Sequence, residues 1–332
     1  MAETIYTIDP DGTGDYSSMN ACVAATAGDM GGNDIVFEVF SSAGSGEASW
    51  NILGYTNYGS MIIRPHDASG KASTSWDSSK YRIGTTGGYQ FAYITQDNVL
   101  IKNLQITWGN IVADNWQGFV ITSAHFIADG CYCYCPTHTG YVGNAIFYSN
   151  YAGVVVLGQI RNSIFEGMNE TGDIAAQLND YTGGYYLHNN TFINCVNANA
   201  GSTGNTISDC RNNIFQGCTT DLGWTVNTSN ASNNLTDNAS IGGTANVTST
   251  TLTFTAGYAL ASTDTAAIDV GYDLSAVFTN DIVDTTRPVN TDYDIGAFEY
   301  VTAGGNLFIK LASEGGLAGH GGLAGISGGL AG

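Results

Sequence analysis

A short word recurs along residues 103–236: an Asn, followed three positions later by an apolar or aromatic residue. Five pairs fit fully, Ser replaces Asn in one more, and Thr replaces the apolar residue in another; they are Asn103–Ile106, Asn144–Phe147, Asn162–Phe165, Asn189–Phe192, Asn212–Phe215, Ser123–Phe126 and Asn233–Thr236. The second members follow one another at intervals of 18 to 27 residues. This period is typical of a solenoid, in which each unit buries its apolar face only against its neighbours. Short alternating apolar runs, rich in Gly, Asn, Thr and Ser, favour coils of β-strand over helical repeats.

Stacked coils would bring each position of the repeat back about every 4.8 Å along the axis. We therefore predict that Phe165, Phe192 and Phe215 point into the interior and stack. Asn tolerates a left-handed backbone at a sharp bend and can pass amide hydrogen bonds from one coil to the next. We predict that the Asn members form one internal polar column at a bend, which comprises Asn144, Asn162, Asn189 and Asn212.

The charge of the chain narrows its function. The 332 residues include 29 acidic and 9 basic ones, which gives a net charge of −20. This balance argues against nucleic acid, whose phosphates need Lys and Arg, and against an anionic membrane surface. No apolar run is long enough to cross a bilayer, and the first residues show no secretory signal. We therefore expect no membrane insertion and an origin in the cytoplasm, unless a leader has been removed.

The start of the chain predicts a strand, a turn and a helix. Ile5–Ile8 alternates, Asp11–Asp15 (Asp-Gly-Thr-Gly-Asp) is a turn, and Ser17 or Ser18 can cap a helix with Met19, Cys22 and Val23 on one face. Such a helix would cover the open end of a solenoid, whose edge otherwise invites aggregation. This stretch of about 25 residues resembles the start of many right-handed parallel β-helix proteins of the pectin-lyase-like superfamily.

The end of the predicted solenoid carries a second resemblance. Ala266–Gly271 (Ala-Ala-Ile-Asp-Val-Gly), Asp281–Pro288 and Asp294–Tyr300 (Asp-Ile-Gly-Ala-Phe-Glu-Tyr) follow one another in order. The set is similar to the closing segment of many bacterial and phage β-helix proteins, and the resemblance implies a structural role. Arg287 lies among Asp281, Asp284, Asp292, Asp294 and Glu299, so we expect it to pair with a carboxylate.

Metal sites are the first chemistry to weigh. Cys131, Cys133 and Cys135, with His125 or His138, could bind zinc, but alternate strand residues lie about 6.6–7 Å apart, too far for a tetrahedral site without a bend. Buried free thiols are the favoured reading, as for Cys195 and Cys218, which we expect to stack in one column. The seven Cys form no clear disulfide framework. Asp9–Asp15 has calcium-loop residues without the full ligand pattern. We predict no metal and no cofactor.

Catalysis is the serious alternative. Relatives with the implied fold include pectate lyases, pectin methylesterases, polygalacturonases and phage depolymerases. Glycoside hydrolysis needs two carboxylates on one surface, and the long loop at Asn169–Gly184 could supply them from Glu166, Glu170, Asp173 and Asp180. A lyase would need a basic residue in the groove, where the candidates are Lys102, Arg161 and Arg211. No nucleophile elbow is present. We therefore predict no catalytic residue.

The fold prediction is an all-β, single right-handed parallel β-helix with an N-terminal capping helix and a Gly-rich tail. The predicted parts are the strand, turn and helix at 1–30, the solenoid at 31–260, the closing segment at 261–301, a connector at 302–314 and the tail at 315–332.

The function expected is that of a non-enzymatic surface protein of an assembly. We favour a phage virion spike, fibre or decoration subunit assembled in the host cytoplasm. A surface polysaccharide is the candidate ligand. The alternatives are a polysaccharide-degrading enzyme and a bacterial cell-surface adhesin or filament subunit.

The tail generates the first testable prediction. Gly recurs at every third position from Gly316 to Gly328, a pattern that fits an extended threefold helix whose backbone hydrogen bonds are made with water or with other chains. We expect residues 315–332 to join identical subunits or other particle proteins. Truncation after Val301 should leave a folded, β-rich protein with weakened assembly in light scattering and particle co-sedimentation. An unchanged assembly state would reduce the tail to a linker.

Overall fold

The computed structural model describes residues 2–40, 46–47, 50–66, 77, 80–85, 90–108, 117–121, 125–135, 145–150, 157–169, 173–179, 185–199, 207–222 and 231–302. Within these residues the chain is mostly β, with a single α-helix, α1, at Met19–Thr26. One compact unit spans Met1–Tyr300. The all-β class predicted from the sequence is confirmed.

The strands form three sheets, and each sheet is named by how many strands it contains. The nine-stranded sheet contains β1 Glu3–Ile8, β2 Asp34–Val39, β5 Met61–Pro65, β8 Val99–Lys102, β11 His125–Asp129, β14 Leu157–Arg161, β17 Tyr185–His188, β20 Ile207–Arg211 and β23 Ala231–Ser232. The eight-stranded sheet contains β3 Gly46–Glu47, β6 Arg82–Thr85, β9 Gln105–Trp108, β12 Tyr132–Tyr134, β15 Ile164–Glu166, β18 Thr191–Ile193, β21 Ile214–Gln216 and β24 Leu235–Thr236. The seven-stranded sheet contains β4 Trp50–Ile52, β7 Gln90–Ile94, β10 Gln117–Ile121, β13 Ala145–Asn150, β16 Ile174–Asn179, β19 Asn197–Asn199 and β22 Thr220–Leu222.

From β2 onward each strand pairs with the strand three places further along the chain, and the strand pairings of the described residues are parallel. Parallel neighbours need a long connection between them. Here the two intervening strands, one in each of the other sheets, make that connection. The repeating unit is therefore three strands, and side chains that point between the sheets share one core.

The predicted aromatic stack lies in the eight-stranded sheet. Phe165, Phe192 and Phe215 occupy equivalent positions of β15, β18 and β21 and have no exposed surface. Ring centroids are 4.8 Å apart for the first pair and 5.1 Å for the second, with nearly parallel planes. The prediction is confirmed.

The asparagines that precede these aromatic residues sit at the corner between the nine-stranded and eight-stranded sheets. They adopt left-handed backbone, with φ of 57° at Asn103, 48° at Asn162, 52° at Asn189, 57° at Asn212 and 55° at Asn233. Gly130 takes the same place between β11 and β12, with φ of 67°. Asn and Gly adopt this conformation at the smallest steric cost. The predicted column is confirmed for Asn162, Asn189 and Asn212, and Asn144 lies outside the described residues.

Two residues, Phe126 and Phe147, were wrongly assigned to the repeat position of Phe165. Phe126 belongs to β11 of the nine-stranded sheet, and Phe147 belongs to β13 of the seven-stranded sheet. In the unit that contains Phe126, the residue equivalent to Phe165 is Cys133, which pairs directly with it. Both misassigned rings are fully buried, since every side of the unit contributes apolar residues to the same core. Interval alone therefore did not distinguish one sheet from another.

A second internal polar ladder, which was not predicted, lies one residue after the corner asparagines. Asn190 Nδ2 donates to Asn213 Oδ1 at 3.0 Å, and Asn213 Nδ2 donates to Asn234 Oδ1 at 2.9 Å. The same oxygens accept the backbone N–H of the preceding unit's Asn, and Asn246 continues the series beyond Asn234. These side chains are buried and fully bonded, as buried amides must be.

The corner asparagines bond between units, where Asn212 Nδ2 donates to Asn189 Oδ1 at 3.1 Å, and they also face the closing segment. Asn189 Nδ2 donates to the carbonyls of Asp294 and Gly296, and Asn212 Nδ2 donates to that of Tyr272. Asn162 and Asn233 bind the carbonyls of Asn280 and Val270 in the same way. Alongside, Ile295 packs with Ile214 and Leu235 on the outer face of the eight-stranded sheet. The column thus holds the closing segment against the sheets.

Arg287 is buried in that segment and pairs with Glu299 at 2.9 Å, as predicted. It also donates to the carbonyls of Asp294 and Gly296. Burial raises the pKa of Glu299 to about 7, although Arg287 opposes the shift. Burial likewise raises the pKa of Asp281 and of Asp294. One cation thus shares its site with three carboxyl groups that bind protons more tightly than usual.

The N-terminal helix follows the prediction. Ser18 Oγ accepts the N–H of Ala21 at 3.1 Å, which caps α1, and Met19, Cys22 and Val23 are buried in the shared core. Asn20 accepts the N–H of Asn51 from β4. The helix therefore packs beside the first strands, where the sheets begin.

Phe192→Ala tests the stack. Phe192 is sandwiched between two rings, so its loss leaves a cavity and should lower the free energy of unfolding by about 3–5 kcal/mol. Chemical denaturation measures the change. Leu53→Ala is the control, because Leu53 is 46 % exposed and should change stability by less than about 0.5 kcal/mol. Equal effects of the two substitutions would contradict the stacked core.

Glu299→Gln tests the carboxyl cluster through pH. A carboxyl whose pKa is raised on folding adds stability at acid pH, and that stability is lost as pH rises through the folded pKa, here about 7. His188 acts oppositely, since burial lowers its pKa. Between pH 5.5 and 8, stability of Glu299→Gln should decline less with rising pH than that of the unchanged protein. The slope is compared by denaturant melts, and identical slopes would contradict the assignment.

Candidate functional site

An open groove lies between the outer face of the eight-stranded sheet and the loop at 253–258. Its volume is about 560 Å³, and it is lined by Tyr132, Tyr134, Glu166, Thr253, Phe254, Thr255, Gly257 and Tyr258. Four of the eight lining residues are aromatic. An aromatic-lined groove with a few polar groups is a common form of ligand site.

Strands β12 and β15 make the floor. Cys133 and Phe165 point into the core, so the alternate residues Tyr132, Tyr134 and Glu166 face outward. Tyr132 is almost fully buried there, whereas Tyr134 and Glu166 are half-buried and reachable from solvent. The strand alternation that fills the core thus also places the groove residues.

Glu166 is held between two tyrosines. Tyr258 donates its hydroxyl to Glu166 Oε1 at 2.6 Å, and Tyr132 donates its hydroxyl to Oε2. Burial and the adjacent Glu166 carboxylate raise the pKa of Tyr258. Tyr258 therefore remains a donor at neutral pH. Each carboxylate oxygen has a second lone pair, so Glu166 can still accept a hydrogen bond from a ligand.

The wall contains two strained aromatic residues. Phe254 has φ of 42° and Tyr258 has φ of 65°, a conformation that bulky side chains rarely adopt. Such residues cost on the order of 1–3 kcal/mol each and persist only where the surroundings fix them. Their rings meet edge to face with centroids 5.8 Å apart. The strain therefore marks this loop as fixed in one shape.

Asp264 supplies that fixation. Its carboxylate accepts the N–H groups of Thr253 at 2.8 Å, Phe254 at 3.1 Å and Ala261 at 2.8 Å. Burial alone would raise the pKa of Asp264, but these backbone bonds together bring it below its ordinary value. Asp264 thus stays ionised and positions the wall.

Of the two described carboxylates among the four suggested by the sequence, one lies in the groove. Glu166 lies in it, but Asp173 is fully buried, and Glu170 and Asp180 fall outside the described residues. Of the described residues that line the groove, Glu166 alone is a carboxylate. The described lining thus offers hydrogen-bond acceptance, aromatic surface and one carboxylate, where hydrolysis requires two.

The basic candidates lie elsewhere. Arg161 pairs with Asp129 at 2.9 Å, and Arg211 pairs with Asp209 at 2.8 Å and lies 3.8 Å from the centre of the Tyr272 ring. Both arginines belong to the nine-stranded sheet, where the closing segment packs on them. Their contacts are those of structural ion pairs.

All seven cysteines are free and buried. Burial raises the pKa of Cys131 to about 12 and that of Cys133 well above its usual value. Cys195 and Cys218 do occupy one column, each with its thiol directed at the carbonyl of a stacked Phe in the preceding unit. No group of three metal-ligating side chains occurs among the described residues. The absence of zinc stays a prediction.

The calcium-like turn bonds to itself. Asp9 Oδ1 accepts the N–H of Asp11 at 3.0 Å, and Oδ2 accepts that of Thr13 at 2.9 Å. Asp15 Oδ2 accepts both the N–H and the hydroxyl of Thr7. These carboxylates shape the turn from β1 towards α1.

A second concavity, of about 580 Å³, lies at the end of the seven-stranded sheet between residues 219–222 and 238–242. Its one acid, Asp221, accepts from Thr236 Oγ1 at 2.6 Å and from Asn238 Nδ2 at 2.9 Å. Burial raises the pKa of Asp221. Both partners are neighbours in the fold, so these bonds close the end of the stack.

No protein-family model, curated protein or solved structure matches the chain. In the part of the chain that the structure describes, no helix has the length and apolar character needed to cross a membrane.

Thiol labelling tests the cysteine assignment. Because every thiol is buried and the pKa of Cys131 and Cys133 is raised, we expect slow labelling of the native protein by a disulfide reagent and seven thiols per chain after denaturation. Elemental analysis of the same sample should find no zinc. One equivalent of zinc, lost on Cys133→Ser, would contradict the assignment.

Proposed function

We propose that this chain is a right-handed parallel β-helix protein of the pectin-lyase-like type. The proposal rests on three stacked parallel sheets in which each strand pairs with the third one along. A helix at the start and a closing segment along one corner accord with the resemblances at both ends of the sequence.

We further propose that the protein is a non-enzymatic surface component of an assembly and that its groove binds a glycan. The observation that carries this proposal is Glu166, the one carboxylate among the described residues that line the groove, engaged by Tyr132 and Tyr258 within an aromatic lining. Hydrolysis by retaining or inverting routes needs a second carboxylate about 5–9.5 Å away. Binding needs only a fixed shape, stacking surface and hydrogen-bond groups.

The assembly is proposed to be a phage particle, in which the chain is a spike, fibre or decoration subunit made in the host cytoplasm. Residues 315–332 would attach it to identical subunits or other virion proteins. The contacts of the closing segment support a structural role. The corner asparagines bind its backbone, and its Arg287 pairs with its own Glu299. In the alternative proposal, a bacterial adhesin or filament subunit, the chain would use the same tail and groove.

The test combines binding and product formation. The full chain is incubated with a panel of surface polysaccharides, retention is measured by co-sedimentation, and reducing ends and unsaturated products are assayed. We expect retention of at least one polysaccharide with no product. Product that disappears in Glu166→Gln would overturn the non-enzymatic proposal in favour of a depolymerase.

Particle association needs a separate experiment. Antibody raised against the purified chain should decorate intact virions of a phage that encodes the chain, as seen by electron microscopy. Decoration of uninfected cells, with no labelled virions, would favour the adhesin or filament alternative.

A further inference from the structure

We propose that the groove at Glu166 selects neutral sugar rings and excludes acidic ones; this inference rests on the proposed glycan-binding function.

The first observation is charge. The groove holds the Glu166 carboxylate, and none of its described lining residues is Lys, Arg or His. A uronate or sulfate group brought there would lack the cation that normally binds a carboxylate or sulfate. It would also approach a chain of net charge −20, whose field repels anions.

The second observation is hydrogen bonding. Glu166 keeps acceptor capacity after binding two phenol hydroxyls, and a bond from a neutral hydroxyl to a carboxylate is of the strong, charge-assisted kind. The exposed hydroxyl-bearing residues Thr253 and Thr255 stand on the opposite wall. Their hydroxyls already donate within the loop, from Thr253 to Asp264 and from Thr255 to the carbonyl of Ala259. A ring with several free hydroxyl groups can therefore donate both to Glu166 and to these threonine oxygens.

The third observation is the aromatic surface. Tyr134 on the floor and Phe254 on the wall are both half-buried and line the groove, so each offers aromatic surface to a ligand there. The C–H face of a pyranose is apolar and stacks on such rings. Asp264 fixes Phe254 in a strained backbone conformation, so the platform exists before the ligand arrives. Preorganisation lowers the ordering cost of binding.

The three features act on different parts of one ligand. Tyr134 and Phe254 contact the apolar face of a ring, and Glu166 accepts its hydroxyl groups. The same Glu166 rejects an anionic substituent. We therefore expect chains of unsubstituted hexose to bind and chains of uronic acid to be excluded.

The experiment compares glucose hexasaccharides, α-1,4 and β-1,4 linked, with the galacturonic acid hexamer, by titration calorimetry on the full chain. At least one neutral hexamer should bind at least about tenfold more tightly than the acidic one, which corresponds to about 1.4 kcal/mol. Tyr134→Ala should weaken neutral binding by at least about tenfold. Tyr93→Ala, which removes a half-buried tyrosine of β7 in the seven-stranded sheet, is the matched control and should leave binding unchanged.

Glu166→Gln keeps the shape of the side chain but removes its charge, and it remains informative if Tyr134→Ala fails to fold. It should weaken neutral binding and also reduce the discrimination against the acidic hexamer. A loss of structure alone would not shift that ratio. Asp292→Asn, at an exposed acid outside the groove, controls for net charge and should preserve the ratio.

Each outcome has a distinct meaning. Acidic hexamer bound as tightly as neutral hexamer would overturn the selectivity while leaving glycan binding intact. If Tyr134→Ala binds the neutral hexamer as tightly as the unchanged protein, the ligand binds somewhere other than this groove. Binding of no hexamer, together with no retention on the polysaccharide panel, would overturn the proposed function as well.

Discussion

The hydrogen bonds of the corner asparagines are the interaction on which the rest of the structure depends. Each corner residue must adopt a left-handed backbone so that the chain can leave one sheet and enter the next. Asn meets that requirement and also carries an amide, which binds the carbonyls of the closing segment from Asn162, Asn189, Asn212 and Asn233. Gly130 meets only the first requirement, and a Cβ there would lie 2.3 Å from Asn103 Oδ1. At the described corners from Asn103 to Asn233, Asn therefore sets the bend everywhere except at Gly130, and four of these asparagines also hold the segment that closes the fold.

The sequence predicted the features that depend on local chemistry repeated at one interval. The Phe column, the left-handed Asn corner, the cap at Ser18 and the pairing of Arg287 all follow from residue type and neighbouring residues. Phe126 and Phe147 were misplaced because three sheets share one core and each offers an apolar residue at a similar interval. The internal ladder was missed although its signal was present: Ser163, Asn190, Asn213 and Asn234 each directly follow a corner Asn.

The groove could not be predicted in the same way, because its parts come from distant segments. Glu166 was considered as one of four acids around a loop, yet its partners are Tyr132, 34 positions earlier, and Tyr258, 92 positions later. Nothing in the composition of residues 253–258 indicates that Phe254 and Tyr258 adopt positive φ. The carboxylate of Asp264 holds this region by accepting the N–H groups of Thr253 and Phe254 at the start of the loop and of Ala261 just after it. Tertiary contacts therefore create the site.

The covering of the eight-stranded sheet also explains where the groove lies. Ile164 is covered by Ile282, Ala297 and Phe298, and Ile214 and Leu235 are covered by Leu252, Leu260 and Ile295. Burial of this outward apolar row favours close packing of residues 252–298 on the sheet. The neighbouring row contains Tyr134 and Glu166, which are polar enough to face solvent. The segment packs on the first row and leaves Tyr134 and Glu166 of the second row partly exposed, so the boundary between the two rows becomes the floor of the groove. Packing of residues 252–298 on the sheet both stabilises the fold and forms the wall of the groove. A substitution at Arg287 that loosens this packing should therefore disrupt the shape of the groove and the closing contacts together.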